Sequence, residues 1–135
     1  MSFTYTQKIM FKHCDPAGIV FYPRYFEMIN DTVEVFFSAC LQTPFEALHR
    51  TGAVPTVQIN TTFTAPSRHG DTLSITLTVT RLGTSSLGLT LIATAGDETR
   101  FTTHSTLVHT GPNGRATPWP APLRNALTTE LEPTP

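Results

Sequence analysis

The stretch His13-Cys14-Asp15-Pro16-Ala17-Gly18-Ile19-Val20-Phe21-Tyr22-Pro23 carries one acid on a predicted turn, shortly before a predicted helix. The segment from Asp15 to Gly18 fits a type I turn, because Asp bonds its own backbone at the first position, Pro presets the second and Gly is tolerated at the fourth. Pro23 fits the first position of a helix, where the missing proline N–H would be unpaired anyway. The stretch therefore predicts a turn that brings a carboxylate close to the start of a helix.

The start of a helix is a favourable place for an oxygen that becomes negative during a reaction. The first backbone N–H groups have no partners within the helix, and about half a positive charge resides there. A carboxylate about one turn upstream is well placed to act on a carbonyl group. An isolated Asp-Pro-Ala-Gly is most often only a turn, so this interpretation depends on the whole of residues 13–23.

The hydrophobic pattern changes from a helical period to an alternating one along the chain. The predicted helix runs from Arg24 to Cys40, with apolar residues at spacings of three and four. Apolar and polar residues alternate from Phe3 to Phe11, and again after Val54, most clearly from Asp71 to Leu82. The order is a strand, a helix and then four antiparallel strands. It predicts an α+β fold, in which a curled sheet of about five strands wraps one long central helix.

The alternation also predicts which side chains of the second strand face the core, namely Val57, Ile59 and Phe63. Residues 111–135 hold six of the eleven prolines and no apolar period, and so they predict an extended C-terminal arm. The expected organisation is a core of residues 1–110, with the arm at 111–135 belonging to the same single domain unit. Trp119 is expected to dock the arm onto the body or onto a neighbouring subunit.

Composition excludes several classes of protein. A chain of 135 residues with 39% hydrophobic content can bury one good core. A net charge of −1 and 14% charged residues argue against nucleic acid and against a polybasic membrane surface. The absence of a charged leader and of a long apolar run predicts no secretion, no membrane span and a cytoplasmic location. Cys14 and Cys40 lack the spacing of metal ligands, which predicts free thiols and no metal site.

The opening stretch resembles the signature of the 4-hydroxybenzoyl-CoA thioesterase family of hotdog-fold proteins, in which an acid, a Pro-Ala-Gly or related turn and an apolar-aromatic run lead into the central helix. The matching residues are Asp15, Pro16, Ala17, Gly18, Ile19, Val20, Tyr22, Pro23 and Tyr25. The resemblance implies the hotdog fold and the hydrolysis of an acyl-CoA thioester with an aromatic or short acyl group. It implies no separate cofactor, because CoA is part of the substrate. It also implies a homodimer or homotetramer whose subunits pair edge to edge.

The resemblance assigns roles to residues of the opening stretch. Asp15 is expected either to attack the thioester carbonyl as a nucleophile or to deprotonate water as a general base. The backbone N–H of Tyr22 is expected to hold the oxyanion. Gly18 is expected to permit a close approach of substrate or backbone. His13 stands where the wider family often has a second acid, and it either tunes the carboxylate of Asp15 or fills a polar gap in the core.

The acyl group of family members enters a pocket along the central helix, often at a subunit interface. The predicted substrate-binding residues are Val20, Phe21, Asn30, Val33, Glu34 and Arg81. Asn30 stands where the 4-hydroxybenzoyl-CoA enzyme directs a carboxylate at the ring hydroxyl, which argues against that compound as the substrate. The turn after the long strand holds only Arg81, so dispersed cations are the candidates for the CoA phosphates: Arg81, Arg68, Arg50 and Arg100.

Two other functions stay open at this point. A hotdog dehydratase or isomerase would use a carboxylate and a histidine on the helix or its approach, and the predicted helix contains no histidine. A non-catalytic acyl-binding module would keep the fold and would bind its ligand without Asp15.

Overall fold

The computed structural model describes residues 2–133 and contains one antiparallel sheet with its helices. The elements in chain order are β1 (Ser2–Lys8), a single 3₁₀ turn (Phe11–His13), α1 (Pro23–Ala39), α2 (Phe45–Leu48), β2 (Thr56–Phe63), β3 (Thr72–Leu82), β4 (Ser86–Ala95), β5 (Glu98–Val108) and α3 (Ala121–Glu130). The strands follow the order β1-β3-β4-β5-β2 across the sheet. The predicted α+β class and the five-stranded sheet are therefore confirmed.

The long helix α1 begins at Pro23, as predicted, and ends one residue before the predicted end. Its buried side chains are Tyr25, Met28, Ile29, Thr32, Val33, Phe36 and Phe37. The hydroxyl of Thr32 donates to the carbonyl oxygen of Met28 at 2.8 Å, so its burial leaves no unpaired donor. Within residues 2–133, no helix has the length and apolar character that crossing a membrane requires.

The predicted burial of one face of β2 is wrong. Val57, Ile59 and Phe63 are 59%, 41% and 43% exposed. Within residues 2–133, β2 is an edge strand whose only partner is β5. The helix α1 packs mainly on β1 and β3, and apart from the ring of Tyr25, which stacks on Phe63 at 5.6 Å, it leaves most of the β2 edge uncovered. A row of exposed apolar side chains, together with the free backbone groups of an edge strand, therefore borders the sheet.

The extended conformation predicted for residues 111–135 is wrong between residues 121 and 130, which form α3. Leu123 and Leu127 are spaced by one helical turn and form its buried side. The prolines concentrate before and within the first turn, where a helix tolerates them. Two apolar positions are too few to show a helical period, and for this reason the sequence pattern does not predict the helix.

The segment around α3 is fixed to the sheet at both ends. The indole N–H of Trp119 donates to the carbonyl oxygen of Ser86 at 3.1 Å, and the N–H of Glu132 donates to the carbonyl oxygen of Val79 at 2.9 Å. Between these contacts, α3 packs on β3. Trp119 therefore docks onto the body of its own chain.

Candidate active site

Residues 13–21 form a small antiparallel hairpin that carries Asp15 at the beginning of its turn. The N–H of Phe21 donates to the carbonyl oxygen of His13 at 2.9 Å, and the N–H of Asp15 donates to the carbonyl oxygen of Ile19 at 2.9 Å. The hairpin leads directly into α1 at Pro23. These local hydrogen bonds place the acid close to the entrance of the helix.

The turn of the hairpin uses one oxygen of the Asp15 carboxylate. Oδ1 accepts the N–H of Ala17 at 2.9 Å, while the N–H of Gly18 donates to the backbone oxygen of Asp15 at 2.9 Å. The other oxygen, Oδ2, has no hydrogen-bond partner within residues 2–133. One oxygen of this half-exposed carboxylate therefore holds the turn, and the other is available to a ligand.

Gly18 adopts a φ of +82°, a conformation that side chains with a Cβ rarely accept. A Cβ placed on Gly18 would meet no atom of the described chain within 4 Å. The predicted close approach of protein backbone at this glycine is therefore not found. The positive φ is what requires a glycine here.

The backbone N–H of Tyr22 is a free hydrogen-bond donor at the start of α1. It has no acceptor in the part of the chain that the structure describes, and the next residue, Pro23, has no N–H. The dipole of the 17-residue helix adds positive potential at this end. The arrangement can hold a developing negative oxygen, as the sequence analysis expects of Tyr22.

His13 lies buried beneath the hairpin, with 6% of its surface exposed. Its Nδ1 accepts the N–H of Met10 at 2.8 Å, which requires a neutral ring with the proton on Nε2. Burial, followed by the charge of Lys12, lowers the pKa of His13. Among the described residues, no hydrogen bond joins His13 to Asp15, so the geometry favours the structural interpretation of this histidine.

We expect acidification to loosen the turn between Met10 and His13, which the ring of His13 closes. Because the fold lowers the pKa of His13, the unfolded chain binds the proton more readily than the folded chain does. The contribution of neutral His13 to folding stability is therefore complete only above pH 6.5, the ordinary pKa of a histidine. It is lost as the pH falls through 6.5 towards the lowered pKa, since the protonated Nδ1 becomes a donor that faces the N–H of Met10. An NMR titration of the ring should place its pKa below 6.5.

The control for this titration is His13→Asn, which keeps an acceptor oxygen near the Nδ1 position. This variant should stay folded and should lose the part of the pH dependence of stability that His13 contributes around and below pH 6.5. A midpoint for His13 at or above 6.5 would contradict the expected direction.

The predicted site residues do not share one cleft of the single chain. Asp15 and Phe21 line an open cleft of about 310 Å³, together with the cations Lys12 and Arg24. Val20 and Tyr22 line a second, mostly apolar cleft of about 570 Å³. The rings of Phe21 and Tyr22 lie 5.8 Å apart, centre to centre, at the border of the two clefts.

A third cleft, of about 590 Å³, runs along α1 and contains Asn30 and Val33. Phe45 and His49 of the α2 region also line this cleft, and no motif in the sequence marks them as site residues. Nδ1 of His49 lies 2.7 Å from the carbonyl oxygen of Phe45, and because a carbonyl only accepts, Nε2 of the neutral ring is an acceptor. The side-chain amide of Asn30 is exposed and has no partner within residues 2–133.

The remaining predicted residues lie elsewhere. Arg81 borders a shallow depression of about 170 Å³ with Asn60 and His104. Glu34 is exposed on α1. The clefts described above, formed by residues 2–133, therefore do not unite Asp15, the acyl candidates on α1 and Arg81.

Arg100 is committed to carboxylates of its own chain. Its Nη1 donates to Oδ2 of Asp71 at 2.8 Å, its Nε lies 2.8 Å from Oε1 of Glu98, and its side chain is 12% exposed. The hydrogen bond to Asp71 raises the pKa of Arg100, and the same bond lowers the pKa of Asp71. Arg100 is therefore a structural group and not a ligand for the CoA phosphates.

The two thiols are free, as predicted. Cys14 lines the first cleft beside Asp15, whereas burial raises the pKa of Cys40. Within residues 2–133, no group of three or more His, Cys, Asp and Glu side chains is arranged to hold a metal ion.

Comparisons with known proteins agree with this architecture. A family model for the thioesterase superfamily matches residues 17–109, a range that begins just after Asp15. The chain is 34% identical over 77 residues to the 4-hydroxybenzoyl-CoA thioesterase of Pseudomonas sp. (strain CBS-3), and this match spans about half of each protein, 55% in both cases.

Solved structures resemble the whole chain. A 1,4-dihydroxy-2-naphthoyl-CoA thioesterase from Synechocystis has a TM-score of 0.87 at 21% identity, with coverage of 95% of this chain and 96% of the other. A gentisyl-coenzyme A thioesterase has a TM-score of 0.82 at 25% identity, with coverage of 93% and 98%. The likeness confirms the hotdog fold expected from the opening stretch.

Proposed function

The chain belongs to the thioesterase superfamily, and on that premise we propose that it hydrolyses an acyl-CoA thioester to a free acid and CoA. The observation that carries the proposal is that one short segment, residues 15–22, carries two unsatisfied groups. Oδ2 of Asp15 is a free acceptor, and the N–H of Tyr22 is a free donor at a helix N-terminus, both judged within residues 2–133. Hydrolysis of a thioester needs a group with a free lone pair, which attacks the carbonyl carbon or activates water, and a donor that holds the oxyanion.

The chemistry of a thioester suits a single carboxylate. In the nucleophilic route, Oδ2 of Asp15 bonds to the carbonyl carbon, the N–H of Tyr22 holds the oxyanion, and the C–S bond then breaks to release the CoA thiolate. Water hydrolyses the resulting anhydride. In the general-base route, Asp15 takes a proton from the attacking water. A thiol with a pKa of about 8.5 leaves in either route without a strong acid.

The third cleft is the proposed site of the acyl group, which we take to be aromatic or short. It is lined mainly by apolar side chains and runs along α1 beside Asn30 and Val33. The relatives named above act on hydroxybenzoyl, gentisyl and dihydroxynaphthoyl thioesters, all of them aromatic. Arg81 is exposed and remains the proposed cation for a CoA phosphate. No cofactor takes part, and the cytoplasmic location stays a prediction.

We further propose that two subunits pair through their β2 edges, as a dimer or within a tetramer. The uncovered apolar side chains of this edge strand, Val57, Ile59 and Phe63, support this pairing. Ile59 and Phe63 also border the third and second clefts, respectively. A partner seated on β2 would therefore close these clefts and bring residues of two chains to one substrate.

The direct test is thiol release from a panel of benzoyl, hydroxybenzoyl, phenylacetyl and short aliphatic CoA thioesters. We expect turnover of at least one aromatic thioester well above the spontaneous rate. Binding of acyl-CoA without thiol release would favour the acyl-binding module. Loss or migration of a double bond without thiol release would favour the dehydratase or isomerase.

A further inference from the structure

The loop between β2 and β3 meets the hairpin that precedes the Tyr22 amide. The N–H of Val20 donates to the backbone oxygen of Ser67 at 2.9 Å, and Ile19 pairs with Arg68 in an isolated bridge. Ser67 thereby fixes the chain two residues before Tyr22. Ser67 itself has no exposed surface.

The same residue fixes the chain on the other side of Tyr22. The hydroxyl of Tyr25, in the first turn of α1, donates to Oγ of Ser67 at 2.9 Å. Only 4% of the surface of Tyr25 is exposed, so water does not compete for this bond. One serine therefore binds the backbone upstream of Tyr22 through its carbonyl and the helix downstream through its hydroxyl.

Ser67 is in turn immobilised by Arg100. The two N–H groups of Arg100 Nη1 are shared among three acceptors: Oγ of Ser67 at 3.1 Å, the carbonyl oxygen of Pro66 at 3.1 Å and Oδ2 of Asp71 at 2.8 Å. The same oxygen of Asp71 accepts the N–H of Arg68 at 2.9 Å. The ion pair therefore clamps the loop on both sides of Ser67.

We infer that Ser67 is a positioning residue that sets the place of the Tyr22 amide for the reaction, with Tyr25 and Arg100 as its partners. The inference rests on the proposed thioester hydrolysis. The N–H of Tyr22 makes no bond of its own within residues 2–133, so the bonds of its neighbours set its position. The N–H of Phe21 binds the hairpin locally, while the anchors at Val20 and Tyr25 fix this segment to the loop that holds Ser67. An oxyanion donor must lie close to the developing charge, and a displacement of about 1 Å can cost about 100-fold in rate.

The test uses Tyr25→Phe, Ser67→Ala and the double variant. Each single change removes the bond between Tyr25 and Ser67, and we expect kcat to fall about 10-fold or more with little change in KM, because the donor acts on the transition state. The double variant should be no worse than Ser67→Ala alone, since both changes break the same bond. Tyr5→Phe is the control, because this half-buried tyrosine on β1 has no hydroxyl partner within residues 2–133.

A second measurement separates this inference from the proposed function. The backbone N–H resonance of Tyr22 should shift in Tyr25→Phe and in Ser67→Ala, and should stay in place in Tyr5→Phe. An unmoved resonance overturns the inference, whether or not the wild type hydrolyses thioesters. A shifted resonance with unchanged kcat overturns it as well. If the wild type releases no thiol, the proposed hydrolysis fails, and the resonance alone still decides whether Ser67 positions the amide.

Discussion

Asp15→Asn should abolish thioester hydrolysis and leave the protein folded. Asparagine keeps an oxygen that can accept the N–H of Ala17, so the turn survives. It lacks the negative charge that either the nucleophilic or the general-base route requires. Removal of such a group typically costs about 10²–10⁴-fold in rate, and we expect kcat for thiol release to fall within or beyond this range.

The matched control for this change is Asp31→Asn, which removes the same charge from an exposed position of α1. It should retain wild-type turnover. Full residual hydrolysis by a folded Asp15→Asn protein would exclude Asp15 as the nucleophile and as the general base.

Val57→Lys should separate the subunits and remove turnover. Val57 is 59% exposed in the single chain, so a lysine there is tolerated by the fold. In the proposed pair it would place a charge in an apolar contact along the edge, which opposes strand pairing. Burial of one valine contributes about 1.5–3 kcal/mol, and a symmetric pair loses two, so the dissociation constant should rise about 100-fold or more.

Sedimentation measures this effect, with thiol release from the same samples. The control is Ile92→Lys, a comparable change at a 39% exposed position on β4, which is an interior strand of the sheet. It should keep the edge-to-edge pair and the turnover. A wild-type protein that sediments as a monomer, or a monomeric Val57→Lys protein with full turnover, would exclude the shared site.

Local sequence patterns were sufficient for the elements that depend on neighbours in the chain. The turn at Asp15 and the start of α1 at Pro23 follow from residues whose conformational preferences act within a few positions. The antiparallel strands follow from alternation. These features carry the two groups proposed for the chemistry, and this is why the opening stretch was so informative.

Features that depend on contacts between distant parts of the chain could not be predicted from local sequence patterns. Alternation assigns Val57 to the inward face of β2, and it cannot tell that α1 leaves this part of the edge strand uncovered. Ser67 is a small polar residue in a turn, and nothing in its neighbourhood signals bonds to Val20 and Tyr25. Ser67 and Asp71, which bury Arg100, lie 33 and 29 positions away in sequence, so no local pattern distinguishes this arginine from a solvent-exposed cation.

The hydrogen bond from Ala17 gives the two oxygens of Asp15 different roles. A half-rotation about the Cβ–Cγ bond, which would interchange them, has to break the bond to Oδ1. Such a half-rotation exchanges two identical oxygens and restores the same arrangement, so at any moment one oxygen holds the turn and the other is open to a ligand. The turn thus fixes the plane of the carboxylate, and the group that carries the charge also orients itself.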